Sequence, residues 1–255
     1  MEVNKEVSFM GVLNNIWNGF LGLVYPEVEG CLYCEVDELV TDEVQLCEDC
    51  LSRINYITDN YCEKCGRLII DEEECKNCEE YNYQFNKARA VATYNQALSD
   101  YIYDMKYQGR QALAKPLGQI LGIYGLEFYK REDLDVIIPV PLAKEKLKTR
   151  GFNQAYLLAR EVSKKLDLPI NDQVLKRAVN TVSQSKLSPL KRKENVSNIF
   201  YCEPEYVKEI KGKYVLLIDD IYTTGATVNE CSKVLLRAGA RDVSVLTLAT
   251  GEQGQ

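Results

Sequence analysis

The sequence predicts an α/β fold, a mostly parallel sheet with helices on both faces, preceded by a small cysteine-rich module. Three observations carry this expectation. From Asn86 onwards, apolar β-branched runs of strand length alternate with helical periodicities. Eight of the ten cysteines fall into four C-x₂-C pairs before residue 80. The charge is divided at the same place: residues 1–80 carry 5 Lys and Arg against 19 Asp and Glu, a balance of −14, whereas residues 81–255 carry 26 against 19, or +7, and together they return −7. A chain of 255 residues has room for one α/β domain and an acidic module.

The first element spans residues 1–25. Phe9, Val12, Leu13, Ile16, Trp17, Phe20, Leu21 and Val24 recur at three- and four-residue spacing, the pattern of an amphipathic helix ending near Pro26. Its stripe is expected to pack on the protein's own body. A membrane surface suits it less, because Lys and Arg are nearly absent, and a partner's groove is the third option.

Residues 26–85 hold Cys31/Cys34, Cys47/Cys50, Cys62/Cys65 and Cys75/Cys78, with 12, 11 and 9 residues between successive pairs. A C-x₂-C knuckle turns two thiolates towards one ion, and two knuckles complete a tetrahedral Cys₄ site, so about two structural zinc ions are expected. Sequential pairing of knuckles is favoured over crossed pairing because each short hairpin closes with little loop entropy. Disulfides would need an oxidising compartment, whereas the start MEVNKEVSFM is acidic where a secretory signal is basic. No apolar run reaches membrane-spanning length, and a cytoplasmic location is expected. Four thiolates per zinc leave negative charge in an already acidic segment, which argues against DNA contact there and for a scaffold or protein-interaction role. Cys202 and Cys231 stand apart, Cys231 on the apolar face of a helix.

Residues 86–255 read as strand Ala88–Tyr94, helices Ala97–Met105 and Ala112–Tyr129, strand Val136–Val140, helix Asn153–Leu166, strand Tyr214–Ile218, a further helix, and strand Val243–Ala249. In such folds ligands sit at the carboxyl ends of the strands. Two of these ends carry chemistry. Tyr214–Ile218 runs into Asp219 and Asp220, then Thr223-Thr224-Gly225-Ala226-Thr227, where an apolar pattern at Val228, Cys231, Val234, Leu235 and Ala238 begins a helix. Free backbone amides and the helix dipole, a glycine that admits close approach, and three hydroxyls make a phosphate cradle. The acidic pair supplies acceptors for vicinal sugar hydroxyls and support for a hydrated Mg²⁺. Val136–Val140 ends in Pro139-Val140-Pro141, followed by Lys144, Lys146, Lys148 and Arg150, so a basic strand end faces an acidic one across the crevice. Leu175 to Phe200 is polar, without sustained periodicity, and reads as a lid whose Lys186, Lys191, Arg192 and Lys193 bring positive charge over an anionic ligand.

There is no histidine. Imidazole acid-base catalysis, Ser-His and Cys-His nucleophiles and histidine metal ligands are excluded.

The order of these features extends a local match to nearly the whole chain. The ribbon pairs, Lys106-Tyr107-Gln108-Gly109-Arg110, IIPVPLAKEKLKTRGFNQA, TVSQSKLSPLKRKENV and VLLIDDIYTTGAT together resemble the ComF family of competence-associated, type I phosphoribosyltransferase-like proteins, from about Tyr25 to Thr250. Arg150-Gly151-Phe152-Asn153-Gln154 and Gln184-Ser185 with Asn195-Val196 are the most family-specific matches. The resemblance implies a type I phosphoribosyltransferase fold behind a double zinc ribbon, binding of phosphoribosyl pyrophosphate (PRPP) with Mg²⁺, and a role in DNA uptake during natural transformation beside a DNA-translocating ATPase.

Carried over residue by residue, Asp219 and Asp220 hold the ribose hydroxyls as the catalytic pair, and Thr223, Thr224, Gly225, Ala226 and Thr227 hold the 5′-phosphate. Val140, Pro141 and Lys144 belong to the pyrophosphate loop, where similar folds commonly have a cis peptide. Gln184, Ser185, Arg192 and Asn195 belong to the lid. One departure stands out: where the family commonly shows His-Pro-Arg-Arg after Pro-Leu, this chain has Ala143-Lys144-Glu145-Lys146. Lysine keeps the charge but loses the bidentate fork, and Glu145 opposes a pyrophosphate. Two functions are therefore expected: transfer of phosphoribose to a nitrogen acceptor, or a non-catalytic module that grips single-stranded DNA or a partner on the same scaffold.

Overall fold

The computed structural model describes residues 30–37, 43–69, 75–178 and 199–251. The amphipathic segment before residue 26 and the lid residues Gln184, Ser185, Lys186, Lys191, Arg192, Lys193 and Asn195 lie outside these.

Four wholly or largely buried strands pair in parallel in the order β1-β6-β5-β2: β1 (Ala88–Thr93), β2 (Val136–Pro139), β5 (Tyr214–Tyr222) and β6 (Asp242–Thr250). Such apolar runs suit strands covered on both faces. Alternation divides the core into two. Leu216 and Ile218 join one face with Val91, Ile137, Leu246 and Leu248, whereas Val215 and Leu217 join the opposite face with Val136, Val243 and Val245. Between Leu175 and Phe200 no strand was expected, yet the two ends of that segment pair antiparallel as β3 (Leu175–Arg177) and β4 (Phe200–Cys202).

Helix α1 (Gln96–Tyr107) starts where the Asn95 side chain accepts from Leu98 N at 3.0 Å, and it buries Leu98, Tyr101, Ile102 and Met105 at helical spacing. The predicted helix from Ala112 is a 3₁₀ turn (Gln111–Leu113) followed by α2 (Ala114–Phe128), whose first turn carries Pro116, a position where the missing amide costs nothing. Gly118 lets α2 lie against α4 (Gln154–Leu166), since a Cβ there would stand 2.8 Å from Cβ of Glu161. An unpredicted helix, α3 (Lys144–Arg150), ends at Gly151 with φ +83°. Periodicity could not reveal it, because none of its residues is buried. Helix α5 (Ala226–Arg237) buries Val228, Cys231 and Leu235 against the second face. Among the described residues no helix is long and apolar enough to cross a membrane.

The cysteine knuckles flank the sheet on opposite sides. Cys31, Cys47 and Cys50 pack in the cluster with α1, α2 and α4, whereas Cys62, Cys65 and Cys75 pack in the cluster with α5. Each set is sequential: Cys31, Cys34, Cys47, Cys50 and Cys62, Cys65, Cys75, Cys78 each gather their sulfurs within 4.8 Å of one another. The Sγ–Sγ separations are 3.7 Å (Cys31–Cys50), 3.4 Å (Cys34–Cys47), 3.6 Å (Cys62–Cys78) and 3.5 Å (Cys65–Cys75). A tetrahedron with Zn–S of about 2.3 Å has edges of about 3.8 Å. The two thiol sets fit two Cys₄ zinc sites. Cys231 is fully buried on the inner face of α5 and Cys202 lies on β4, both outside the sets.

Candidate functional site

β5 does not stop at Ile218. It pairs with β6 as far as Tyr222 opposite Thr250, so Asp219 and Asp220 are strand residues. Both are buried, with 8% and 5% of their surface exposed. Alternation sends them to opposite faces of the sheet.

Asp220 lies on the α1/α4 face. Its Oδ2 is ion-paired with Lys106 from the last turn of α1, and its Oδ1 accepts from Gln154 Nε2, at the start of α4, at 3.0 Å. Arg150 in turn donates to Oε1 of Gln154 and lies 4.9 Å over the Tyr107 ring. Burial opposes ionisation of Asp220, but Lys106 and the Gln154 amide outweigh it and hold the carboxyl below its ordinary value. Asp219 lies on the other face, near Cys231, and accepts from the Asp220 amide at 2.9 Å. Burial, reinforced by the Asp220 charge, pushes its carboxyl well above the ordinary value. The two carboxylates thus have separate roles: one ionised and paired, the other biased towards its neutral form.

Beyond Tyr222 the chain turns through exposed Thr223 and Thr224 to Gly225, the N-cap of α5, whose φ of +74° is left-handed. A side chain at Gly225 would collide with the Tyr222 phenol. Thr224 Oγ1 accepts from Ala226 N at 3.3 Å, and Thr227 stays exposed in the first turn. The carbonyl of Thr224 accepts from Tyr83 Oη at 2.8 Å, and Gln84 N donates to Asn229 Oδ1 at 2.7 Å. Tyr222 itself packs on Phe85 and Tyr83 and lies under the Arg67 guanidinium, 5.5 Å from ring to cation. The segment that follows the second cysteine set therefore buttresses the turn from Thr223 to Gly225 and the start of α5.

β2 and β5 are neighbours, which brings the second loop to the same sheet edge. Val140 N donates to Ile218 O at 2.9 Å, and Asn153 Nδ2 donates to Val140 O at 3.0 Å. Pro141 is half-buried, and Lys144 is exposed as the first residue of α3. The described residues contain no cis peptide, so the one implied by resemblance is not found in this loop. A cavity of about 300 Å³ is lined by Lys106, Tyr107, Glu145, Lys146, Thr149 and Arg150. A larger one of about 520 Å³ opens between this loop and the β3–β4 pair, with Lys144, Tyr156, Lys176, Arg177 and Tyr201 on its wall. A third, near Lys87, Asp133 and Ser244, lies at the amino ends of the strands, away from these residues.

Reading residues alone gave no role to Lys106, Gln154, Tyr83 or Arg110. Lys106, Arg110 and Gln154 stand in the two short strings that carried the family resemblance, which was the available signal. Arg110 donates to the carbonyls of Leu32 (3.0 Å) and Tyr33 (2.6 Å) and joins the first knuckle to the end of α1.

Comparison with known proteins agrees with this architecture. A double zinc ribbon domain matches residues 20–79 and a phosphoribosyl transferase domain matches residues 152–255. The chain is 31% identical to competence protein F of Haemophilus influenzae, over 86% of this chain and 96% of that one. It is 31% identical to DNA utilization protein YhgH of Escherichia coli (80% and 89% covered) and 30% identical to competence protein ComFC of Bacillus subtilis (82% and 86% covered).

Proposed function

Since the chain belongs to the ComF family of competence-associated proteins, we propose that it binds PRPP with Mg²⁺ at the carboxyl ends of β2 and β5, transfers phosphoribose to a nitrogen acceptor, and serves DNA uptake in the cytoplasm. One observation carries the reading. The buried acidic pair of β5 leads directly into a left-handed glycine and the amino end of α5, and the Val140 loop is hydrogen-bonded to the same strand. Sugar-hydroxyl acceptors, a phosphate cradle and a second loop share one sheet edge.

The chemistry asked of the chain is positioning and charge. The bond from C1 of the ribose to pyrophosphate breaks ahead of acceptor attack, so stabilising the leaving group matters more than proton transfer, in keeping with the absence of histidine. Asp219 and Asp220 offer the hard oxygens that Mg²⁺ prefers, but Asp220 is engaged by Lys106 and Gln154. Because they point to opposite faces of the sheet, one of them at a time would fit a cation whose remaining ligands are phosphate oxygens and water. Mg²⁺ would neutralise charge on the departing pyrophosphate. The Thr223–Thr227 backbone and hydroxyls hold the 5′-phosphate.

The second reading, a non-catalytic module gripping single-stranded DNA, is favoured by the larger cavity. Tyr201, 43% exposed, stands there among Lys144, Lys176 and Arg177, and single strands are held by aromatic stacking within a basic groove. A DNA-translocating ATPase is the partner proposed for either reading. Pyrophosphate release from PRPP, screened over nitrogen acceptors, separates them: release with one acceptor establishes the transferase, and DNA binding without release across the screen establishes the module.

A further inference from the structure

Lys106 belongs to two environments at once. Its ammonium pairs with buried Asp220, and its side chain also lines the cavity of about 300 Å³ beside that carboxylate. Three cations, Lys106, Lys146 and Arg150, line this cavity against Glu145 alone. Arg150 is held to it by Gln154 and Tyr107, and its Nε is buried without a hydrogen-bond partner among the described residues. Gln154 is the hinge of the arrangement, since it donates to Asp220 and accepts from Arg150.

A carboxylate already satisfied by an ammonium is a poor acceptor for a sugar hydroxyl, and an ammonium released into low dielectric needs another anion. The cavity supplies cations for such an anion one side chain away. We propose that Lys106 is a counter-ion switch: it neutralises Asp220 until ribose hydroxyls claim that carboxylate, and it then moves onto the ligand's pyrophosphate in the Lys146–Arg150 cavity. This rests on the PRPP reading and assigns the pyrophosphate half of the ligand to α1 and α3. Ribose binding at Asp220 and pyrophosphate binding in the cavity are thereby coupled. A ligand with only one half leaves either Lys106 or Asp220 without a partner.

The test compares PRPP with ribose 5-phosphate, each with Mg²⁺, on the zinc-loaded full chain. Lys106→Met is expected to weaken PRPP binding about tenfold or more while leaving ribose 5-phosphate unchanged or tighter, and Lys106→Arg to restore most of the PRPP affinity. Equal loss for both ligands would mark a purely structural ion pair and overturn the switch, as would no change for either. In the parent protein, acetylation of Lys106 read by mass spectrometry provides a measure independent of how the variant folds. Ribose 5-phosphate should raise its reactivity and PRPP should suppress it again; reactivity indifferent to both ligands contradicts the proposal. If the parent binds neither ligand, the PRPP reading itself falls and the switch with it.

Discussion

The hydroxyl of Tyr83 donates to the carbonyl of Thr224 at 2.8 Å, so a residue five positions after the last cysteine pair fixes the backbone of the turn that leads into α5. Burial pushes the Tyr83 phenol up to about 12. Tyr83→Phe removes this bond together with the phenol's interaction with the Tyr222 hydroxyl. With a net hydrogen-bond contribution of about 1 kcal/mol, PRPP affinity should fall roughly fivefold while zinc content stays the same. Calorimetry beside elemental analysis checks both halves of the statement.

Zinc content should be about two per chain, and Cys47→Ser and Cys65→Ser should each lose one ion while Cys202→Ser and Cys231→Ser lose none. Because Tyr83 follows the second set, Cys65→Ser should depress PRPP affinity more than Cys47→Ser does. Elemental analysis finding no zinc, with the eight thiols oxidised in cytosolic material, would remove the ribbon reading.

Arg110 donates to two carbonyls of the first knuckle and stacks 5.0 Å over Tyr33. Lysine keeps the charge but not the fork, so Arg110→Lys should lower stability by roughly 1–2 kcal/mol in denaturant titration. Amide exchange should accelerate around Cys31–Cys34 and leave β5 protected.

Asp219 makes stability depend on pH in a direction fixed by its raised carboxyl pKa. Below about pH 4 the side chain is protonated folded and unfolded alike. As pH rises, the unfolded chain releases the proton more readily than the folded one, so this contribution is lost towards neutrality. Asp219→Asn should therefore raise the melting temperature at pH 7, with the gain shrinking towards pH 4. The same change should weaken PRPP binding, the trade expected where a strained group serves a ligand. Melting curves of the two proteins that stay parallel across this range would contradict it.

Strands β1, β2 and β6 were legible because their buried runs are continuous, and α1 and α4 because apolar residues recur at helical spacing, Leu98, Tyr101, Ile102 and Met105 in one and Ala155, Leu158, Ala159 and Val162 in the other. The end of β5 was misplaced at Ile218 because two adjacent carboxylates look like a strand terminus; what satisfies the buried Asp220 there is Lys106, over a hundred residues away, together with Gln154. Helix α3 was invisible for the opposite reason, having no buried face. The eight thiols were readable because C-x₂-C spacing encodes the turn itself, whereas loop entropy only favoured sequential sets and the fold supplies them. The division of the acidic pair between two faces follows from strand alternation, but only once Asp219 and Asp220 are known to lie within the strand.

The most direct measurement is calorimetry of PRPP with Mg²⁺ against the parent and against Asp219→Asn with Asp220→Asn, with circular dichroism as the control for fold. The parent should bind one PRPP per chain, and the double variant should bind it tenfold or more weakly, about 1.4 kcal/mol or above, with unchanged secondary structure. Equal affinity in the two proteins would reduce the acidic pair to a feature of the strand and contradict a PRPP site at the end of β5.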